Sequence, residues 1–392
     1  MAPPVSANDP GQGTMNAALL RWTLVDARRL GTTEELLSSF GAMLVDAGVP
    51  VSRINAPMWV RHPLVRVAGW IWTNGETGPR VTSFKVSEID ASFTRMYVGS
   101  PFPLVVEDGV DFIRRRIGDA DCPMDFTVLA DLRAAGVTDY VILGGTLSRC
   151  DRTALTFATR APDGFTDTHL GILIEALPAF LLHLDLRLAS ELTETVCRTY
   201  LGPRTGPRVV AGHIRRGEVQ RVDAVIGFCD LRGFTAASDV RSPEDVTELL
   251  NLWFDAIAKQ VDATGGEILK FIGDAALVMW PIDNDPRAAC MHAVQAAMAL
   301  EASLPETLRG GLALHRGEVA YGNIGAADRL DFTVIGAAVN LASRLEGLCA
   351  RLQAPWIVSS AVAEHVDVPL TDLGLHLLKG LSDPVRVWGP PT

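Results

Sequence analysis

The chain is poor in cysteine and short of positive charge, and each shortage excludes a class of protein. Six cysteines (Cys122, Cys150, Cys197, Cys229, Cys290 and Cys349) lie scattered with no CxxC pair and no ligand-like spacing. A disulfide framework and a zinc site are both excluded on that pattern, and a reducing cytoplasm is the expected setting. Lys and Arg number 35 against 46 Asp and Glu, a formal net charge of -11. Such a balance gives no electrostatic footprint for nucleic acid or an anionic membrane. Any phosphate-bearing ligand must then be gripped by a few local cations and backbone amides. Residues 1–14 are rich in Pro, Gly and Asn but lack the apolar core of a signal peptide, so they read as a disordered tail. The most apolar stretch, residues 171–189, is broken by Glu175, Pro178, His183, Asp185 and Arg187 and is no membrane span.

What is there is ample apolar material, 48% of 392 residues, too much chain for one ordinary core. Two domains are expected. Residues 15–50 carry apolar positions at helical spacing, ended by Gly48 and Pro50. Short β-like runs follow over 56–60, 65–73 and 81–86, then a helix over 126–135 and strands over 139–143 and 154–159. This α/β pattern predicts a regulatory domain over 15–177, whose effector is unknown. A helix over 178–200 puts Leu181, Leu184, Leu188, Leu192 and Val196 on one face. With the Gly- and Pro-containing residues 202–217 it forms a connecting segment over 178–217.

From 218 the pattern changes. A buried-type strand over 224–229 runs into Asp230-Leu231-Arg232-Gly233-Phe234-Thr235, and a helix over 243–261 is capped by Ser242. Then comes a hairpin, Glu267-Ile268-Leu269-Lys270-Phe271-Ile272 and Ala275-Ala276-Leu277-Val278, turning on Gly273-Asp274. A helix over 286–304, strands over 311–321 and 332–335 and a helix over 337–352 complete an α+β domain with an antiparallel sheet, residues 218–392.

The chemistry gathers at strand ends. Asp230 closes a strand, and the turn after it can aim the amides of Phe234 and Thr235 at phosphate oxygens. Asp274 sits at the next hairpin turn, and neighbouring strands lie only about 5 Å apart. Paired carboxylates there suit hard divalent cations. Lys270 in the first hairpin strand is four residues from Asp274; alone the two read as a surface hairpin, together with Asp230 as parts of one ligand site. Asn340 and Arg344, four apart on a helix, share one face. An Arg fork suits phosphoryl oxygens, an Asn amide suits a ribose, and a surface ion pair is the ordinary fate of such an Arg.

Four segments together carry a resemblance. Phe228-Cys229-Asp230-Leu231-Arg232-Gly233-Phe234-Thr235, Lys270-Phe271-Ile272-Gly273-Asp274, Asp331-Phe332-Thr333-Val334-Ile335-Gly336 and Val339-Asn340-Leu341-Ala342-Ser343-Arg344 resemble the class III nucleotidyl cyclases, over residues 209–389. The resemblance is to bacterial adenylate cyclases of the Thr-type subclass. It implies conversion of ATP to cyclic AMP and pyrophosphate in signal transduction. It further implies Mg²⁺ or Mn²⁺, two ions per site, at Asp230, Leu231 and Asp274. Lys270 and Thr333 would read adenine, with Phe234, Thr235 and Lys379 on the rest of the substrate, and Asn340 and Arg344 would stabilise the transition state. The site would form between two copies, so a homodimer is implied. Ala337 departs from the family, which often has Asp there, and predicts a weaker helix start. The first domain resembles the GAF and autoinducer-binding families through Thr156-Phe157-Ala158-Thr159 before Gly164-Phe165-Thr166. A diguanylate cyclase is disfavoured because Ile268-Leu269 follow Gly265-Gly266-Glu267, where a GG(D/E)EF run would be needed.

Overall fold

The computed structural model describes residues 17–63, 65–75, 78–148, 151–305 and 308–391. The tail expected over 1–14 and Cys150 lie outside them. The chain divides into two compact units, Met1–Thr195 and Val196–Thr392.

In the first unit, helical turns at Trp22–Asp26 and Ala27–Arg29 precede α1 (Thr33–Asp46). A capping box starts α1: the Thr32 hydroxyl accepts from the Glu35 amide, and the Glu35 carboxylate accepts from the Thr32 amide. Leu36, Leu37, Phe40 and Leu44 form its buried face. Next come β1 (Val51–Trp59), β2 (Val67–Gly75), β3 (Gly78–Val86), α2 (Ala91–Val98), α3 (Phe102–Val106) and β4 (Phe112–Arg115). They are followed by α4 (Thr127–Ala134), β5 (Asp139–Thr146), β6 (Arg152–Thr159) and α5 (Asp167–Leu201). The strands make one antiparallel sheet in the order β3-β2-β1-β6-β5-β4. α2, α3 and β4 have no counterpart among the sequence expectations; α2 buries no residue, so it shows no apolar periodicity to read.

α5 corrects the expectation of a helix beginning at residue 178. It begins at Asp167, where the Thr166 hydroxyl accepts from the His169 amide at 3.2 Å, and it runs through Pro178. Pro removes one helical hydrogen bond, but Leu173, Ala176, Leu177, Phe180, Leu181 and Leu184 around it are buried and hold the turn. Leu181 and Leu184 of the expected apolar face lie in the core, whereas Val196 is exposed.

The second unit runs α6 (Thr205–Val210), β7 (Val219–Leu231), α7 (Phe234–Ser238), α8 (Pro243–Ala263), β8 (Glu267–Ile272), β9 (Ala275–Pro281) and α9 (Pro286–Ser303). It continues through β10 (Gly310–Gly325), β11 (Leu330–Ile335), α10 (Ala337–Leu352), β12 (Trp356–Ser359), α11 (Ser360–Ala363), β13 (Thr371–His376) and β14 (Val385–Gly389). The sheet order is β13-β14-β12-β10-β7-β9-β8, with β11 paired to β10. The sheet is antiparallel as expected except for one parallel pair, β10 with β12. The crossover through α10 explains it, since a strand returning after a helix can align parallel.

β7 is central, and successive side chains alternate between faces. Val225, Cys229 and Leu231 enter a core with Trp253, Ile257 and Val261 of α8 and Cys290 and Val294 of α9. Ala224 and Ile226 enter the opposite core, with Leu269, Tyr321, Phe332 and Ala338. Burial on both faces explains the unbroken apolar run that ends at Asp230. The molecule is thus an α+β protein with helices flanking a mixed, mainly antiparallel sheet in its second unit. Among the described residues no helix is long and apolar enough to cross a membrane.

Candidate active site

Asp230 is the penultimate residue of β7, facing Gly311 of β10 across the ladder. Its Oδ1 accepts the Leu231 amide at 3.1 Å. The turn that follows needs Gly233 in the left-handed region, at φ 72°, to start α7 and so to place Phe234 and Thr235 in its first turn. Phe234 packs against the core and Thr235 is exposed.

Asp274 occupies the turn between β8 and β9, with Gly273 at φ 65°. The Trp253 indole, fully buried, donates to the Asp274 carbonyl at 2.9 Å and pins the turn to α8. Cys229 pairs with Ala276 across the β7–β9 ladder, which brings the Asp274 turn alongside Asp230. Burial first, and the Asp274 charge second, push Asp230 up to about 6.

A third carboxyl faces them. Glu346 on α10 lies against Gly311, where any side chain would come within 3.6 Å of its Oε1. Burial and the charges of Asp230 and Asp274 raise Glu346 to about 7, and Arg232 works in the opposite direction. Arg232 itself ties the strand end to α10 by donating to the Cys349 carbonyl at 3.0 Å and to the Ala354 carbonyl.

Lys270, on β8, donates to Asp331 Oδ2 at 2.9 Å. Asp331 is two residues before Thr333 on β11, so the two share a face, and Thr333 is buried. An ammonium group has three donors, which leaves two on Lys270 for other acceptors.

Asn340 and Arg344 project from α10, whose buried face is Ala338, Ala342, Leu345, Leu348 and Cys349. Arg344 lies beside Gly380, where a Cβ would stand 3.5 Å from its Nη2, and this brings it next to the exposed Lys379. The expected residues therefore fall into three sets: Asp230, Leu231 and Asp274 with the turn that carries Phe234 and Thr235; Lys270 with the face of Thr333; and Asn340 and Arg344 with Lys379. Among the described residues, no hydrogen bond or ion pair joins the sets within one chain.

Three contributors are not among the residues expected from sequence. Asp331 carries a usable signal, since its spacing of two from Thr333 on a strand puts both on one face. Glu346 and Trp253 carry none. The helix start at Ala337 is as plain as expected: Gly336 stands at the N-cap, no side chain caps the helix, and no acid lies in its first turn.

The donor set suits a hard divalent cation. Asp230 and Asp274 lie at neighbouring strand ends, and a cation there would relieve the repulsion that raises Asp230. No cluster of three or more His, Cys, Asp or Glu able to hold a metal occurs among the described residues, so further ligands would have to come from water, backbone or substrate.

The sequence model of the adenylate and guanylate cyclase catalytic domain matches residues 218–367. Adenylate cyclase 1 of Rhizobium meliloti (strain 1021) is 31% identical over 194 residues, covering 46% of this chain and 29% of that protein. The adenylate cyclase of Anabaena cylindrica is 34% identical over 153 residues, covering 36% and 30%. This chain thus spans less than a third of the length of either relative. The solved adenylyl cyclase CyaB from P. aeruginosa superposes with a TM-score of 0.41 and 29% identity, over 45% of this chain and 96% of that one.

Proposed function

We propose that residues 218–367, which match the adenylate and guanylate cyclase catalytic domain, form a class III nucleotidyl cyclase domain and that the protein is an adenylate cyclase acting as a homodimer. The observation that carries this reading is the placing of Asp230 and Asp274 at adjoining strand ends, beside a strand whose Lys270 reaches the Asp331–Thr333 face.

In the reaction proposed, the ribose 3′-oxygen of ATP attacks the α-phosphorus. The O3′–Pα bond forms, the bond from Pα to the β-phosphate oxygen breaks, and the 3′-proton leaves to solvent as pyrophosphate departs. Asp230 and Asp274, with the Leu231 carbonyl, would hold Mg²⁺ or Mn²⁺, which supplies charge for the triphosphate and a more acidic 3′-hydroxyl. Lys270 donates to adenine N1, and the Thr333 hydroxyl accepts from the exocyclic N6 amine. Guanine carries a proton at N1 and an acceptor at C6, so the same pair would face like groups. Arg344 meets charge growing on the α-phosphate, and Asn340 holds the ribose. Phe234 and Thr235 offer amides to the phosphates, and Lys379 a cation.

Among the described residues Asn340, Arg344 and Lys379 make no hydrogen bond or ion pair to the carboxylates, and a second copy completes the site in this proposal, with two such sites per pair. The domain expected over residues 15–177 is read as regulatory and acts through the segment 178–217, in a cytoplasmic protein. A catalytically weak nucleotide-binding module is the reading to be beaten. The discriminating experiment incubates purified full-length protein with ATP or GTP and Mg²⁺ or Mn²⁺, and identifies cyclic products by mass. Cyclic AMP that disappears in Asp274→Ala supports the proposal; no cyclic product in any combination sinks it.

A further inference from the structure

Glu267 opens β8 and is completely buried, yet it follows a Gly-Gly turn where an acid would ordinarily be solvated. Its partners come from 63 and 62 residues earlier and 54 residues later. Oε1 accepts the Arg204 amide at 3.1 Å and the Thr205 amide at 2.9 Å. Oε2 accepts the Tyr321 hydroxyl at 3.2 Å, and that hydroxyl also bonds the Thr205 hydroxyl at 2.6 Å. Gly202, at φ 95°, passes so close that a Cβ would stand 2.8 Å from Oε1. The Arg204 guanidinium adds a bond to the Gly265 carbonyl at 3.1 Å.

The same short segment holds a second strand pair. Arg208 of α6 lies over the rings of Tyr321 and Phe332, 5.5 and 5.6 Å from their centroids. Those rings meet edge to face at 4.9 Å across the β10–β11 hairpin. Arg208 is also tied to Gln220 at 3.1 Å. Residues 202–210 therefore grip β8 three residues from Lys270, and grip β11 at the residue before Thr333. Between Glu267 and Lys270 the register of β8 against β9 shifts, so ladder pairing alone fixes the position of Lys270 loosely.

We propose that residues 202–210 are a positioning strap for the base-reading side of the site. By holding Glu267 and the Tyr321–Phe332 corner together they set the separation of Lys270 and Thr333, and with it nucleotide affinity and base discrimination. This rests on the reading of Lys270 and Thr333 as the base-reading pair. Glu267, Tyr321 and Arg208 are positioning residues, since each acts through another.

The test compares full-length wild type with Tyr321→Phe and Glu267→Gln. The first keeps the ring under Arg208 and removes the hydroxyl that joins Thr205 to Glu267. Asp223→Asn is the control, because it breaks the 2.6 Å pair with Arg316, seven residues back along β7 from Asp230. Melting temperature, kcat, KM for ATP and GTP, and affinity for a fluorescent ATP analogue are measured for each. The strap predicts that Tyr321→Phe raises KM for ATP about threefold to tenfold and erodes the ATP-over-GTP preference comparably, with kcat within about twofold. The control should lose stability without moving either ratio. Tyr321→Phe and Glu267→Gln that melt earlier but keep wild-type KM and preference would overturn the strap as a positioning device. If wild type binds the analogue but makes no cyclic product, the cyclase reading fails, and the strap stands or falls on whether Tyr321→Phe weakens that binding. Wild type that neither binds nor reacts contradicts both.

Discussion

Asp331 offers the cleanest perturbation of the base-reading side. It holds Lys270 at 2.9 Å, and the two side chains are 57% and 29% exposed. A pair this open to solvent contributes about 0.2–1 kcal/mol to folding, so Asp331→Ala should lower the melting temperature by no more than about 2–4 °C. Its effect on substrate should be larger in proportion. Without Asp331 the four-carbon stem of Lys270 is free to sample several rotamers, and ordering it again on ATP costs about 0.5–1.5 kcal/mol. At 1.4 kcal/mol per decade that is a KM for ATP raised about twofold to tenfold, with kcat nearly unchanged. The Lys270 hydrogen bond and charge hold the Asp331 carboxyl below its usual range. A depressed carboxyl contributes stability above its unfolded pKa and loses it as pH falls through the folded value. The pair is therefore intact from pH 6 to 8, and the difference between variant and wild type should be flat across that window. Steady-state cyclase kinetics at three pH values, beside calorimetric melting, decide the matter. An unchanged or lowered KM would refute the idea that Asp331 orients Lys270, and would cast it as a competitor of the substrate.

Three further outcomes are expected. Mixing Asp274→Ala with Arg344→Ala chains should restore part of the product that neither makes alone; no restoration, with mixed dimers demonstrated, would contradict a site shared between copies. Ala337→Asp should place an acid in the uncapped first turn of α10 and add about 0.3–1 kcal/mol, read as a rise of about 1–3 °C in melting temperature, and an unchanged or lower value would show that the turn is already satisfied. Trp253→Phe should leave the Asp274 carbonyl without its 2.9 Å donor and cost about 1–3 kcal/mol in denaturant unfolding, with product formation falling as the turn loosens. A neutral result there would mean that the indole serves packing alone.

The parts of the site that lie within short segments are legible in the sequence. Asp230 can be placed at a strand end because the apolar run of a strand buried on both faces stops there. Gly273-Asp274 reads as a hairpin turn by its chemistry, and the periodicity of α10 is so clear that a helix over 337–352 is both expected and found. What cannot be read depends on distant pairing. Lys270 finds Asp331 across 61 residues, and Glu267 finds Arg204 and Thr205 across 63 and 62. Nothing local to Gly265-Gly266-Glu267 says that the carboxylate is buried. Residues 202–217 read as a plain connection; six of them form α6, whose stability comes from that same carboxylate and from two aromatic rings. Local chemistry makes Pro178 a helix start, whereas packing on both sides of it carries α5 through from Asp167.

The central claim is chemical and yields to one assay. Full-length protein, ATP and Mn²⁺ are incubated together, and cyclic AMP and pyrophosphate are quantified against time. The account predicts the two in equal amounts, with no product from Asp274→Ala and a clear preference over GTP. Failure to form any cyclic nucleotide from ATP or GTP, by a chain shown to be folded and dimeric, would contradict it.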